Sequence, residues 1–262
     1  MIVVTGATGN IGRPLVQSLT AAGEEVRAVS RRGPFAGDLS DVSTMRPAFE
    51  GASAVFLLLP GDFRGPLEPM LASAGEAGVA RVVLLSSQGV GTGRHPAFFE
   101  EAVQGSGLQW TVLRPAGFAS NAFQWAESVR SAREVVAPFG DVALPVIDPS
   151  DIAEVAAAAL LDNAHAGRTY ELTGPSLVTP RDQAAAIGEA LGEPVRFVPQ
   201  TREEARSLLL GFMPPEIADS TLDILGAPVP AEQRVSPDVA QVLGRPPRPF
   251  TEWAARNAVA FK

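Results

Sequence analysis

Three glycines spaced three apart, Gly6, Gly9 and Gly12, follow the β-branched run Ile2-Val3-Val4-Thr5, and Ile11, Leu15 and Leu19 recur after them at helical spacing. Strand, tight turn and helix in that order set backbone N–H groups and the positive end of a helix dipole where a pyrophosphate can sit. Gly6 permits the turn, Gly9 admits phosphates to the backbone, and Gly12 lets the helix pack close to the strand. Thr8, Asn10 and Ile11 complete the loop, with Asn10 a candidate N-cap and Pro14 tolerated in the first helical turn. The alternative is a glycine-rich turn that binds nothing.

A second strand is expected over Glu25–Val29, and Arg31 and Arg32 follow it where a dinucleotide fold meets the adenosine ribose. An acidic residue there would accept from a free 2′-hydroxyl. Arginine instead offers a planar fork of donors to a 2′-phosphate, so the pair favours NADP(H) over NAD(H); solvated loop arginines are the alternative. Farther along, Ser86 and Ser87 end an apolar run and could hydrogen-bond a substrate carbonyl or simply cap local backbone. Arg114 could stabilise an oxyanion or sit in a structural ion pair. His95, just before Pro96, could act as an acid near neutral pH or lie on the surface. Pro115, Gly117, Phe118 and Asn121 are expected to line a pocket, Asn121 through its amide and Phe118 by stacking, with core packing the alternative for Phe118.

Composition removes several other chemistries. The 262 residues carry no cysteine and two histidines, His95 and His165, so disulfides, thiolate nucleophiles and Cys- or His-rich metal sites are not expected. The only tyrosine is Tyr170 and the only lysine Lys262, which excludes a Tyr-x-x-x-Lys catalytic pair and an internal catalytic lysine. A net charge of −8 argues against nucleic acid as a partner. No apolar run approaches the length of a membrane span, and a strand beginning at Ile2 leaves no room for a signal peptide, so a cytoplasmic protein with a small-molecule substrate is expected.

The elements that must position these residues alternate. Only Ser30 to Pro34 separate the second strand from Phe35-Ala36-Gly37-Asp38-Leu39, too few for a crossover helix, so the third strand is a short edge strand or a loop. Asp38 and Leu39 would then close over an adenine ring, or Asp38 forms a turn. A helix is expected over Asp41–Glu50 with Met45 and Phe49 on one face, a buried strand over Ala54–Leu59, a helix over Gly65–Ala77 and a strand over Arg81–Ser87. A helix over Pro96–Gly105, with Phe99, Ala102 and Val103 inward, and a strand over Gln109–Arg114 follow. This is an α/β pattern, a Rossmann-like doubly wound parallel sheet whose ligands lie at the C-terminal ends of its strands. Those ends are Thr5-Gly6, Leu59-Pro60, Ser86-Ser87 and Arg114-Pro115, so Leu59, Pro60, Ser86 and Pro115 join the cofactor-binding set. Beyond Pro115 the pattern changes: a helix over Ala119–Ala132, a short strand over Ala143–Ile147, a helix over Asp151–Leu161 capped by Asp148 or Ser150, a strand over Thr169–Thr173, a helix over Pro180–Leu191 and a strand over Val195–Pro199. The stretch Thr201–Phe261 reads as helical and punctuated by proline. Residues 1–115 are thus the expected dinucleotide-binding core, and 116–262 a smaller α+β substrate-binding lobe with segments returning to the core as one intertwined unit.

Several motifs together carry a family resemblance: Thr5 to Gly12, Gly37-Asp38-Leu39, Leu84-Leu85-Ser86-Ser87, Trp110 to Pro115 with Phe118 and Asn121, Asp148 with Asp151-Ile152-Ala153, and Gly244 to Phe250 with Glu252-Trp253-Ala254. The chain resembles the NmrA-like group of atypical short-chain dehydrogenases, which includes NAD(P)H:quinone oxidoreductases and NADP-sensing regulators. The resemblance implies a Rossmann fold, an NAD(P) cofactor and no Tyr/Lys pair; the missing second crossover helix departs from the group. Without a strong proton donor an ordinary ketone is a poor hydride acceptor, because the product is an alkoxide. A quinone gives a delocalised phenolate whose conjugate acid has a pKa of about 10, so water can supply the proton. NADPH-dependent reduction of a quinone-like acceptor is therefore the expected activity, and a non-catalytic NADP(H)-binding sensor the alternative.

Overall fold

The computed structural model describes residues 1–31, 35–61 and 63–262. In chain order its first elements are β1 (Ile2–Thr5), α1 (Gly12–Ala21), β2 (Val26–Ser30), β3 (Phe35–Ala36), α2 (Val42–Phe49), β4 (Ala54–Leu58) and α3 (Glu68–Glu76). Then come β5 (Arg81–Leu85), α4 (Gln88–Gly91), α5 (Phe98–Gln104) and β6 (Gln109–Pro115). A 3-10 turn over Ala119–Trp125 leads into α6 (Ala126–Ala132) and β7 (Glu134–Ala137), followed by α7 (Pro149–Leu161), β8 (Arg168–Leu172), α8 (Pro180–Leu191) and β9 (Arg196–Pro199). The chain closes with α9 (Arg202–Leu209), α10 (Pro215–Gly226), α11 (Asp238–Leu243) and α12 (Phe250–Asn257).

These elements form two compact units. The first comprises residues Met1–Pro115, Pro149–Leu172 and Asp238–Arg245. Its sheet is wholly parallel, in the order β3-β2-β1-β4-β5-β6-β8. The order reverses between β1 and β4, so the sheet is doubly wound about that point. Side chains alternate across a strand, and Val3, Val55, Leu57, Val82 and Leu84 pack on one face with Met45, Phe49, Met70, Leu71 and Val103 of α2, α3 and α5. Helices α1 and α7 pack against each other and on the sheet's other face. Cover on both sides explains why β4 and β5 read as unbroken apolar runs. Among the described residues no helix lies between β2 and β3, and β3 is a two-residue edge strand paired through Val29↔Phe35 and Ser30↔Ala36.

The second unit comprises Ala116–Asp148, Thr173–Pro237 and Pro246–Lys262. A two-stranded parallel sheet of β7 and β9 packs with α8 and α12 around Trp125, Val129, Ile187, Phe250, Trp253 and Phe261. Helices α8 and α9 each begin with a reciprocal capping box, Thr179 with Asp182 and Thr201 with Glu204.

Three local expectations are corrected. The strand expected over Ala143–Ile147 is absent: Leu144 and Ile147 make only isolated bridges, to Val178 and Phe118. The strand in that region is β7, upstream of Pro138, since prolines at 138 and 145 and a left-handed Phe139 interrupt any longer ladder. The expected helix over Ala119–Ala132 starts as a 3-10 turn and becomes α-helical at Ala126. The N-cap of α1 is Ile11, not Asn10, because the turn hydrogen bonds Gly9 N to Gly6 O and Arg13 N to Gly9 O start the helix one residue later.

Two carboxylates of the sequence motifs are used for stability. Asp151, fully buried in α7, accepts from Arg245 at 2.8 Å, and Glu154 accepts from the same guanidinium. In the second unit Asp148 pairs with Arg256. Removing one partner of a buried pair leaves the other desolvated and uncompensated. Arg245→Ala, which takes the guanidinium from the fully buried Asp151, is expected to lower the unfolding free energy by about 3 kcal/mol, read from urea denaturation.

Candidate functional site

The site begins where β1 and β4 part. Their backbone ladder ends at Val4↔Phe56, and the Thr5 side chain carries it one step further. Its hydroxyl donates to Phe56 O (3.1 Å) and accepts from Leu58 N (2.8 Å). Past this bridge Gly6 adopts φ +63, a left-handed conformation that glycine enters without steric cost. Gly9 N donates to Gly6 O at 3.0 Å and Ala7 N to Val29 O at 3.3 Å, which ties the turn to both itself and β2.

The third glycine is fixed by contact. A Cβ on Gly12 would collide with the carbonyl of Gly6 and lie 2.6 Å from Ala7 Cα, so helix α1 rests directly on the backbone of the turn. The N-cap residue Ile11 offers no side-chain acceptor and the first turn holds no acidic residue. Thr8, Gly9 and Asn10 are exposed above it. An exposed glycine turn over a helix N-terminus without a competing carboxylate fits a diphosphate.

On the β2 side, Arg31 is exposed and Arg32 lies outside the described residues. Asp38 is engaged in a turn: its Oδ1 accepts from Ser40 N (2.9 Å) and Ser40 Oγ (2.6 Å), and its own N donates to Thr44 Oγ1. Those bonds from Ser40, and next the nearby charge of Arg31, hold its carboxyl below the usual carboxylate range. Leu39 is half-buried against the α2–α3 side of the core. Gly37 is required there, since a Cβ would sit 2.6 Å from Met45 Sδ and 2.8 Å from Val29 Cγ1.

A polar group occupies the ends of β5 and β6. Ser86 Oγ donates to Glu100 Oε1 at 2.5 Å, and Arg114 grips the same carboxylate with two bonds, Nε to Oε1 (3.0 Å) and NH2 to Oε2 (2.6 Å). Glu100 is only 3% exposed, and its hydrogen bond holds Arg114 above the ordinary arginine range against burial. The guanidinium is thus committed to an ion pair. Ser87 Oγ lies 2.9 Å from His95 Nδ1, although Ser87 is the N-cap residue of α4 and makes no side-chain cap bond. Neither serine hydroxyl therefore serves as a backbone cap here. Beside them the Gln88 Nε2 is buried with no hydrogen-bond partner, an orphaned donor at the same strand end.

The first unit thus gathers the glycine turn, Leu59, Pro60, Ser86, Ser87, His95, Arg114 and Pro115 at strand ends or in the segments that follow them. Gly117, Phe118 and Asn121 lie together in the second unit: Gly117 O accepts from Ile147 N (2.8 Å), Phe118 is half-buried, and Asn121 is exposed. The remaining tyrosine and histidine use each other, Tyr170 OH standing 2.8 Å from His165 Nδ1 with burial pushing the phenol pKa up. Sequence reading missed Thr5, Gln88 and Glu100. Glu100 carried a signal: it stands three residues before the inward Val103, on the same helical face.

Fold and site together define a dinucleotide-binding α/β protein. The family model described as NAD(P)H-binding matches residues 6–163, and the chain belongs to that family, in keeping with its NmrA-like motifs. It is 37% identical to the (4-alkanoyl-5-oxo-2,5-dihydrofuran-3-yl)methyl phosphate reductase of Streptomyces griseus, over 100% of this chain and 99% of that one. Identity to the NAD(P)H azoreductase of Xenophilus azovorans is 33%, with the same coverage. In structure it is similar to the NADPH-dependent quinone oxidoreductase QOR2 of Escherichia coli complexed with NADPH, with a TM-score of 0.79 at 22% identity over 98% of this chain and 99% of that one. The family is one of NAD(P)H-dependent oxidoreductases with reductase members. No helix among the described residues is long and apolar enough to cross a membrane.

The Glu100 pairing makes a direct test. Arg114→Ala strands the buried Glu100 carboxylate with only Ser86 to donate to it, and is expected to cost about 3 kcal/mol in unfolding experiments; Glu100→Ala leaves a partly exposed Arg114 and is expected to cost less. Glu100→Gln, which keeps the hydrogen-bond acceptor for Ser86, is expected to lose less.

Proposed function

We propose that the protein is an NADPH-dependent reductase that passes hydride to a quinone-like, electron-poor small molecule, in the cytoplasm and without a Tyr/Lys pair. The observation that carries this reading is the glycine turn at the switch point, with Gly12 seated on the Gly6 carbonyl and no carboxylate at the N-terminus of α1. The relatives support a reductase, since both are named as reductases, one of a dihydrofuranone and one of azo compounds.

In this reading Gly6, Thr8, Gly9, Asn10, Ile11 and Gly12 hold the diphosphate through backbone N–H groups and the helix dipole. Arg31 and Arg32 face the 2′-phosphate, and Asp38 and Leu39 flank the adenine. Leu59, Pro60, Ser86 and Pro115 line the strand ends towards the nicotinamide, and Ser87, Gly117, Phe118 and Asn121 meet the acceptor. When bound, NADPH supplies the hydride. The chain contributes position, exclusion of water and hydrogen bonds to the acceptor. A delocalised product anion asks little more, which is why an electron-poor acceptor suits a chain with so few acids.

Titrating NADPH and NADH fluorescence with the protein, and following NADPH oxidation across a quinone panel, tests the reading. NADPH is expected to bind tighter than NADH. Arg31→Glu is expected to weaken NADPH about tenfold, the worth of one charge-assisted hydrogen bond, and to leave NADH nearly unchanged. Tight NADPH binding with no acceptor reduced would point to a sensor instead.

A further inference from the structure

We propose that Ser87 and His95 form the proton-delivery pair for the reduced acceptor, an assignment that rests on the reductase reading above. Ser87 occupies an N-cap position with extended backbone, where a serine hydroxyl ordinarily accepts from the helix N–H groups. Here the hydroxyl forgoes that bond and faces His95 Nδ1 at 2.9 Å. The imidazole lies close over Gly89, where a Cβ would stand 2.5 Å from Nδ1 and 2.8 Å from Cε1, so a side chain at that position would displace the ring. His95 N also donates to Gly89 O at 3.0 Å, closing the loop that returns the ring to α4. The charged groups around this turn are Arg94, Glu100, Arg114 and Glu171, of which Glu100 and Arg114 are paired with each other.

The proton balance is simple. An acceptor that has taken hydride from NADPH carries a negative oxygen. The Ser87 O–H bond breaks as a new acceptor O–H bond forms, and the Nδ1 proton of the His95 imidazolium moves to Ser87 Oγ, leaving a neutral imidazole. The imidazole, which is partly exposed, regains a proton from water. The sum is NADPH, quinone and one proton giving NADP+ and hydroquinone. Ser87 is the residue that touches substrate, and His95 acts through it. Such a relay matters in proportion to the basicity of the product anion.

Histidine 95 replaced by asparagine, His95→Asn, keeps an N–H for Ser87 but holds no titrating proton. With acceptors whose reduced forms are weak acids, His95→Asn and Ser87→Ala are each expected to lower kcat about tenfold to a hundredfold and to flatten its pH profile, with NADPH affinity unchanged. With acceptors whose reduced forms are strongly acidic the loss is expected to shrink towards none. A readout independent of turnover comes from nitrogen NMR of the cofactor-free protein, where only two imidazoles exist and His165→Asn, which should leave kcat unchanged, assigns them. Ser87→Ala is expected to shift the Nδ1 resonance of His95, which loses its hydroxyl partner. If His95→Asn fails to fold, Ser87→Ala carries the test alone. An active protein whose rates and pH profile are the same in these variants overturns the relay and spares the reductase reading. A wild-type protein that binds NADPH and reduces no acceptor overturns that reading, and the relay with it.

Discussion

The first unit depends on one backbone contact, the seating of Gly12 on the carbonyl of Gly6. It sets how closely α1 approaches β1, and every other feature of the turn follows from that distance. A methyl group at position 12 would drive the helix off the strand. The left-handed Gly6 and the Thr5 bridge to Phe56 and Leu58 then aim the turn into the gap where β1 and β4 diverge. Only at such a divergence does a parallel sheet offer a crevice with helix N-termini around it. The contact therefore links covalent chemistry, the absence of a Cβ, to the place where a diphosphate fits.

A second constraint is the handling of buried charge. Glu100 stands beneath the strand ends and is satisfied by two bonds from Arg114 and one from Ser86. Asp151 and Arg245 do the same between α7 and the segment after α11. Pairs of this kind contribute little net stability when complete and cost several kcal/mol when broken. Their effect is to fix where elements meet. Glu100 anchors α5 to the ends of β5 and β6, and Asp151 ties a late stretch of chain to α7, which itself covers one face of the sheet. Ser86, in the segment just after β5, is thereby tied to Glu100 of α5 and, through it, to Arg114 of β6.

The inventory of acids left over is small, and this shapes the chemistry. Arg114 is paired with Glu100, Tyr170 with His165 and Ser87 with His95, while the buried Nε2 of Gln88 has no hydrogen-bond partner. In the proposed reading, this equipment suits an acceptor that stabilises its own negative charge.

Local pattern made much of this legible in the sequence. The spacing of Gly6, Gly9 and Gly12, the unbroken apolar runs of β4 and β5, the short link from Ser30 to Phe35 and the helix over Pro180–Leu191 are each set by residues close together in the chain, and each stands as read. Local pattern failed near Pro138 and Pro145, where a strand was expected after Pro138 and formed before it, because short half-buried strands carry too few residues to fix their own limits. Composition alone shows that the chain has no cysteine and no Tyr-x-x-x-Lys motif. What only the tertiary structure decided is partnership: that Ser86 and Arg114 converge on Glu100, that Ser87 turns to His95 instead of capping α4, and that Asp151 meets Arg245. Those bonds join residues brought together by the winding of the sheet and the packing of α5 and α7, and no spacing along the chain encodes them.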